Sequence, residues 1–336
     1  MRRPRVFVSR GLPGRALEYL AEHADVDVWP GEMPPTGAEL AWRAADCDGI
    51  LSLLTERIDA TLLDKTPYVL VVSNMATGFD NVDVAAANER NVLATRTPGV
   101  LAETTADFAF ALILAAARRV VEGDRYTREG SWKTWGPETL LGQDVYGATL
   151  GIVGMGGIGM EVAKRAQGFG MRILYSSRRR KKEAEAQTGA KFVPLPRLLA
   201  ESDIVTLHAP LTDETHQMIN AESLGTMKTT AVLVNTARGG LVDQAALYEA
   251  LRDGIIAYAA LDVTDPEPMA PDDPLLALEN VIVTPHIASA SVATRSRMAM
   301  LAAENLVTAL RGEVPEHTVN PEITEAWRKR VAASLA

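Results

Sequence analysis

Ala148-Thr149-Leu150-Gly151-Ile152-Val153-Gly154-Met155-Gly156-Gly157-Ile158-Gly159 is the stretch that decides how this chain of 336 residues folds. Leu150 to Val153 is a short apolar run, suited to a strand buried on both faces. Gly154, Gly156 and Gly159 follow as G-x-G-x-x-G, and a helical pattern runs from Met160 to Phe169. Gly154 allows the tight turn out of the strand, Gly156 lets backbone approach a pyrophosphate, and Gly159 lets the helix pack closely on the sheet. The helix start supplies N–H groups without helical partners and the positive end of a dipole, which together stabilise a diphosphate. Gly-rich turns are common. This one carries weight because a strand precedes it, a helix follows, and a second strand (Arg172 to Tyr175) comes at the right distance. Gly154, Met155, Gly156, Gly157 and Ile158 are therefore read as the phosphate-binding part of a dinucleotide site.

Outward from this motif the chain alternates strands and helices. Downstream strands read as Arg172–Tyr175, Lys191–Phe192, Ile204–Leu207, Ala231–Asn235, Ala257–Leu261 and Val281–Val283. Upstream, Arg5–Ser9, Val26–Trp29, Gly49–Leu53 and Val69–Ser73 read as strands with short helices between them, a small parallel sheet with helices on both faces. That half has no G-x-G-x-x-G, so it is not expected to hold a dinucleotide. Leu101 to Val121 reads as one long helix, apolar around most of its circumference and suited to burial between two domains. Thr127 to Gly147 breaks the pattern. Its Trp132 and Trp135 read either as an anchor at a partner surface or as pins for their own loop. A final helix, Ser291 to Arg311, leads the chain back, with the tail packing on the first domain.

An apolar content of 47% is ordinary for a soluble globular protein, and a net charge of −9 argues against nucleic acid or an anionic membrane as the main partner. Cys47 is the only cysteine, read as a small residue in a half-buried position; there is no disulfide and no thiolate metal site. The basic start Met1-Arg2-Arg3-Pro4-Arg5 is followed by too short an apolar run for an export signal. Phe108 to Ala117 is too short to span a bilayer. The expected location is cytoplasmic.

The second strand of a dinucleotide fold ends, in NAD proteins, with an Asp or Glu that grips the adenosine ribose. Here Ser176-Ser177 stand in that place, followed by Arg178-Arg179-Arg180-Lys181-Lys182. No carboxylate repels a 2′-phosphate, and guanidiniums are at hand to clamp one. Most charge runs are solvated turns; the position of this one favours NADP(H), with NAD(H) possible, and makes Ser177, Arg178 and Arg179 candidate contacts.

Three further segments follow apolar strands, where ligands collect in such folds: Asn235 to Gly240, Asp262 to Pro268, and Thr284 to Ser289. An arginine, a carboxylate and a histidine thus project from them. Singly, each has a plain structural reading: His286 as a satisfied interior histidine, Glu267 as solvated, Arg238 as a turn cap. At this point the sequence resembles the D-isomer-specific 2-hydroxyacid dehydrogenases, and among them the glyoxylate/hydroxypyruvate reductases. The likeness is carried by Thr77 to Asp83, Gly147 to Gly159, Asn235 to Asp243, Asp262 to Pro268 and Thr284 to Ala290, and it extends from about Val6 to Pro321. Many relatives have an acidic residue where this chain has Pro266.

The resemblance implies two doubly wound parallel-sheet α/β domains with an active-site cleft between them. One is a Rossmann-type cofactor domain over residues 99–286; the other is a smaller, flavodoxin-like substrate domain over 1–98 and 287–336. It implies Arg238, Glu267 and His286 as the catalytic trio, and backbone N–H groups around Thr77-Gly78 as a hold on the substrate carboxylate. Leu54 and Trp135 are implied as further substrate contacts, with Trp135 reaching in from the neighbouring subunit of a homodimer. Thr105, His208, Ala209, Pro210, Thr236, Ala237 and Ala288 are implied along the cofactor, together with Arg238 and His286, which are implied against both cofactor and substrate, and Asp262 against the nicotinamide carboxamide. These roles agree with elementary chemistry. Imidazole titrates near neutral pH and suits proton donation. A hydrogen-bonded Glu267 would favour imidazolium, and a guanidinium holds a carboxylate bidentately. The expected reaction is NADPH-preferring reduction of glyoxylate or hydroxypyruvate. Two alternatives stay open: another D-2-hydroxyacid dehydrogenase of D-lactate, phosphoglycerate or sugar-acid type, or a dinucleotide-sensing, corepressor-like binding protein.

Overall fold

Val6, Phe7 and Val8 are fully buried, and around their strand β1 (Arg5–Val8) the first part of the chain winds. It continues as α1 (Ala16–His23), β2 (Asp25–Val28), α2 (Gly37–Ala44), β3 (Gly49–Ser52), α3 (Ala60–Lys65), β4 (Val71–Asn74), α4 (Val84–Glu89) and β5 (Leu93–Thr95). The strands pair in the order β2-β1-β3-β4-β5, every pair parallel, which is the flavodoxin-like order. Helix starts follow local chemistry. Thr36 and Glu39 form a reciprocal capping box on α2, and Asp59 and Asp83 accept from the third N–H of α3 and α4.

Strand β5 has no counterpart in the sequence reading. Three residues are too few to show a period; the strand is defined by its parallel pairing with β4, Val72 beside Ala94. Its other edge is held by the tail, where Ala94 N–H donates to Asn320 Oδ1 at 2.9 Å and Val319 N–H to Ala94 O at 2.8 Å. Cys47, expected half-buried, is 2% exposed in the core behind this sheet, and burial pushes its thiol pKa up to about 11.

The second α/β run contains α5 (Ala102–Ala117), α6 (Val120–Arg128), β6 (Thr149–Val153), α7 (Gly157–Gly168), β7 (Arg172–Ser176), α8 (Lys182–Thr188), β8 (Lys191–Phe192) and α9 (Leu195–Glu201). It goes on through β9 (Ile204–Leu207), α10 (Ala221–Gly225), β10 (Val232–Asn235), α11 (Gln244–Arg252), β11 (Tyr258–Leu261) and β12 (Val281–Val283). Its parallel sheet has the order β12-β11-β10-β9-β6-β7-β8, the Rossmann order with one strand added, and the winding reverses on either side of β6. Both faces are covered, and the pleat sorts the side chains between them. Leu150 and Ile152 pack with α5 and α7. Val153, Leu174 and Val205 pack on the opposite side with α9, α10 and α11.

The single helix expected over Leu101 to Val121 is two. Arg119 adopts a left-handed backbone (φ +53°), and the Ala117 carbonyl accepts from Gln143 N–H at 2.8 Å. The apolar pattern spans the break because it reports side chains, while the break is a backbone event at two adjacent arginines. Helix α6 then runs to Arg128, into a stretch expected to be irregular, and buries no residue. The buried face of α5 belongs to the core of its own sheet and α7, where the sequence reading puts it between domains.

After β12 come α12 (Val292–Leu310), capped by Ser291, and α13 (Thr324–Leu335). Both return to the first sheet: Ser73 Oγ donates to Ala302 O at 2.7 Å, and the fully buried Trp327 donates its indole N–H to Leu70 O at 3.0 Å. The chain therefore divides into two units, Met1–Leu101 with Ala290–Ala336 and Ala102–Ser289. This is a computed structural model that describes residues 2–335. Among the described residues no helix is long and apolar enough to cross a membrane.

Candidate active site

Strands β10, β11 and β12 are neighbours, with Asn235 beside Leu261 and Leu261 beside Val283. Their carboxyl ends carry Arg238, Glu267 and His286 in turn. His286 Nδ1 and Glu267 Oε1 are 2.6 Å apart, with the imidazole side chain 22% exposed and the carboxylate 36%. His286 has a left-handed backbone (φ +53°), uncommon for a side chain of this kind and worth an explanation. The cause is Asp262. Its carbonyl accepts the His286 N–H at 2.9 Å. Its carboxylate accepts from Thr284 Oγ1 at 2.6 Å, Ile287 N–H at 2.9 Å and Ala288 N–H at 2.8 Å. Both carboxylate oxygens hold the turn that carries His286, a role beside the nicotinamide contact expected from the sequence.

The Arg238 segment is held from inside as well. Asn235 accepts from Ala237 N–H at 3.0 Å and donates Nδ2 to Arg238 O at 2.8 Å, a local side-chain turn of the kind Asn makes after a strand. The half-buried guanidinium donates Nη1 to Ala237 O at 2.8 Å. Gly239 lies against the next loop so tightly that a Cβ would come 2.0 Å from Thr264 O. The loops bearing Arg238 and Glu267 are thus stacked backbone on backbone. Asn235, Thr284 and the anchoring role of Asp262 escaped the sequence reading. The available signal was a short polar residue placed directly at each strand end.

The expected dinucleotide site has the features such a cofactor needs. Gly154 has φ +99°, and a Cβ there would sit 2.6 Å from Ala209 N and the His208 carbonyl, so the backbone leaving β6 lies directly against the backbone leaving β9. Gly156 begins α7 without a side-chain cap, and nothing lies within 4 Å of where its Cβ would be. The first N–H groups of α7 therefore face an open cradle. Of the buried side-chain polar atoms that have no partner among the described residues, two lie here: His208 Nδ1 and Thr236 Oγ1. They sit at the ends of β9 and β10, the two strands that follow β6 across the sheet. Buried orphans of this sort call for a ligand or water, and the donor set fits a dinucleotide. The other His208 nitrogen meets Thr206 Oγ1 at 2.9 Å, and burial pushes the imidazole pKa down, to about 3.

The remaining expected contacts fall as follows. Met155, Thr105 and Ala288 are buried, Ile158, Ala209 and Ala237 half-buried, and Pro210 exposed. Ser177 donates Oγ to Arg179 O at 2.6 Å. Arg178 and Arg179 are exposed and make no ion pair among the described residues. In the smaller unit, Leu54 is exposed, Thr77 Oγ1 donates to Thr97 O at 3.1 Å, and Gly78 O accepts from Asn74 Nδ2 at 3.2 Å. Trp132 and Trp135 are 62% and 81% exposed, so neither pins its loop to its own unit.

The family model described as D-isomer specific 2-hydroxyacid dehydrogenase, NAD binding domain, matches residues 110–288. The glyoxylate reductase of Korarchaeum cryptofilum is 56% identical over 324 residues, 96% of this chain and 98% of that protein. The crystal structure of a protein from Thermus thermophilus superposes with a TM-score of 0.89 at 50% identity, covering 94% of this chain and 99% of the other. An NADPH-dependent glyoxylate/hydroxypyruvate reductase from Sinorhizobium meliloti, solved with NADP and malonate, superposes with a TM-score of 0.85 at 33% identity, covering 95% and 97%. With the strand-end trio and the glycine turn already in place, these matches establish that the chain belongs to the D-isomer specific 2-hydroxyacid dehydrogenase family, on its glyoxylate reductase branch.

Proposed function

We propose that this enzyme reduces glyoxylate and hydroxypyruvate to glycolate and D-glycerate, with NADPH preferred over NADH. The observation that carries the reading is the 2.6 Å pair of His286 Nδ1 and Glu267 Oε1. With Nδ1 donating to the carboxylate, the proton available for transfer sits on Nε2, and the ring is fixed in tautomer and orientation. When bound, a reduced nicotinamide supplies the hydride. His286 then delivers its Nε2 proton to the substrate oxygen as negative charge develops there. Arg238 holds the substrate carboxylate and polarises the carbonyl; its permanent charge and planar fork suit both tasks. Leu54, Thr77, Gly78 and Trp135 complete the proposed substrate contacts, and the exposed Trp132 and Trp135 support a homodimer.

The cofactor preference rests on Arg178 and Arg179, which are exposed and not ion-paired, in the place where NAD proteins carry a carboxylate. The test is a panel of 2-oxo acids assayed by cofactor absorbance with NADPH and NADH, alongside His286→Ala. Glyoxylate and hydroxypyruvate should be turned over fastest. His286→Ala should lose at least about 100-fold in kcat at saturating NADPH. Failure of the wild type to reduce either acid, or full activity in the variant, would overturn the proposal.

A further inference from the structure

The basic turn after β7 is closed at both ends by bonds that the reaction does not use. At its start, Ser176 O accepts from Gly154 N–H at 2.8 Å, tying the turn to the glycine motif. At its end, Lys181 N–H donates to the Tyr175 hydroxyl at 2.7 Å. That hydroxyl in turn donates to Glu185 Oε1 at 2.8 Å. The same carboxylate takes the Arg180 guanidinium bidentately, Nε on Oε1 and Nη2 on Oε2, both at 2.8 Å. The Tyr175 ring is fully buried and packs at a tilt on Phe192, centroids 5.4 Å apart. Arg180 and Tyr175 hold the Glu185 carboxyl well below its usual range, to about 2.

Three arginines in a row therefore have two different fates. Arg180 is neutralised by Glu185 and serves as part of the clasp. Arg178 and Arg179, inside the closed turn, keep their charge for something outside the chain. We infer that Tyr175 and Glu185 are positioning residues for cofactor choice: without touching the cofactor, they clasp the turn so that Arg178 and Arg179 stand ready for the 2′-phosphate. The inference rests on the reading that these two arginines recognise that phosphate. Clasping the turn before binding removes an ordering cost that only the phosphorylated cofactor would otherwise incur. Simple electrostatics predicts the opposite sign: a carboxylate near the site repels a phosphate, so removing its charge would tighten NADPH binding.

The experiment measures Kd for NADPH and NADH by fluorescence titration, and kcat at saturating NADPH, in wild type, Tyr175→Phe, Glu185→Gln and Arg178→Ala/Arg179→Ala. Tyr175→Phe keeps the buried ring and so guards against a simple folding loss. The clasp variants should each weaken NADPH by about 5- to 15-fold, the worth of one or two hydrogen bonds. NADH affinity should stay within about two-fold and kcat should be unchanged. If the arginine double variant loses the NADPH preference while the clasp variants keep it, the positioning role is wrong and the cofactor reading stands. If the arginine double variant also keeps the preference, or the wild type has none, both fall. Equal weakening of NADPH and NADH, or tighter NADPH binding in Glu185→Gln, also overturns the clasp.

Discussion

Replacing Asp262 by Asn would separate the anchoring of His286 from the proton transfer proposed for it. The carboxylate is 1% exposed and accepts three bonds, from Thr284 Oγ1, Ile287 N–H and Ala288 N–H. An Asn side chain keeps the oxygen that serves Thr284 and Ile287, but turns an NH₂ group toward Ala288 N–H, donor against donor. One hydrogen bond to a charged acceptor is lost, roughly 1.5–3 kcal/mol, and a buried N–H is left without a partner at a similar cost. The two losses overlap, so about 3 kcal/mol is expected. For a unit of this size that is a fall in Tm of about 6–12 °C. The left-handed backbone at His286 is inherently unfavourable by about 1–2 kcal/mol and persists only while its surroundings impose it. Freed of Ala288, the turn relaxes, and if His286 is the proposed donor, a shift of about 1 Å in it costs about 100-fold in kcat. Thermal melts and steady-state glyoxylate reduction at saturating cofactor read the two effects together. A variant that melts earlier but turns over at the wild-type rate would refute the claim that Asp262 sets the position of His286.

Two further outcomes follow from burial. The folded His208 ring resists protonation, with its pKa lowered from 6.5 to about 3, whereas the unfolded chain takes up that proton as pH drops through 6.5. Stability associated with this residue is therefore intact above pH 6.5 and is lost progressively below it. Between pH 7 and 5 the wild type should lose about 1–2 kcal/mol more than His208→Asn in urea titrations; parallel losses would contradict the assignment. Cys47, 2% exposed with a thiol pushed up to about 11, should resist iodoacetamide at pH 8 in the native protein and react only on unfolding. Rapid labelling of the folded enzyme would show that the core behind the first sheet is open.

The glycine turn and its flanking strands were legible because each signal is local and has one mechanical cause. A bare turn, a close backbone approach and a helix start all occur within Ala148 to Gly159. The trio was legible only in part. The strand ends pointed to Arg238, Glu267 and His286, but the anchor of His286 was not visible, since Asp262 and Ala288 are far apart in the chain and meet only when β11 and β12 pair. For a related reason β5 was missed: its three residues show no period, and it exists only by pairing with β4 and by the bond from Ala94 N–H to Asn320, more than two hundred positions away. The break between α5 and α6 escaped because periodicity records which side chains face inward. It does not register a single residue such as Arg119 turning left-handed.

The smaller unit is assembled from two separate segments of the chain, with α12 and α13 covering a sheet whose strands all lie before Leu101. On the ribosome, residues 102–289 emerge complete and free to collapse while the first sheet still lacks Ala302, Trp327 and their hydrogen bonds to Ser73 and Leu70. The dinucleotide unit is thus placed to mature during synthesis. The unit whose strands are synthesised first must wait, its apolar face uncovered, until α12 and α13 have been made.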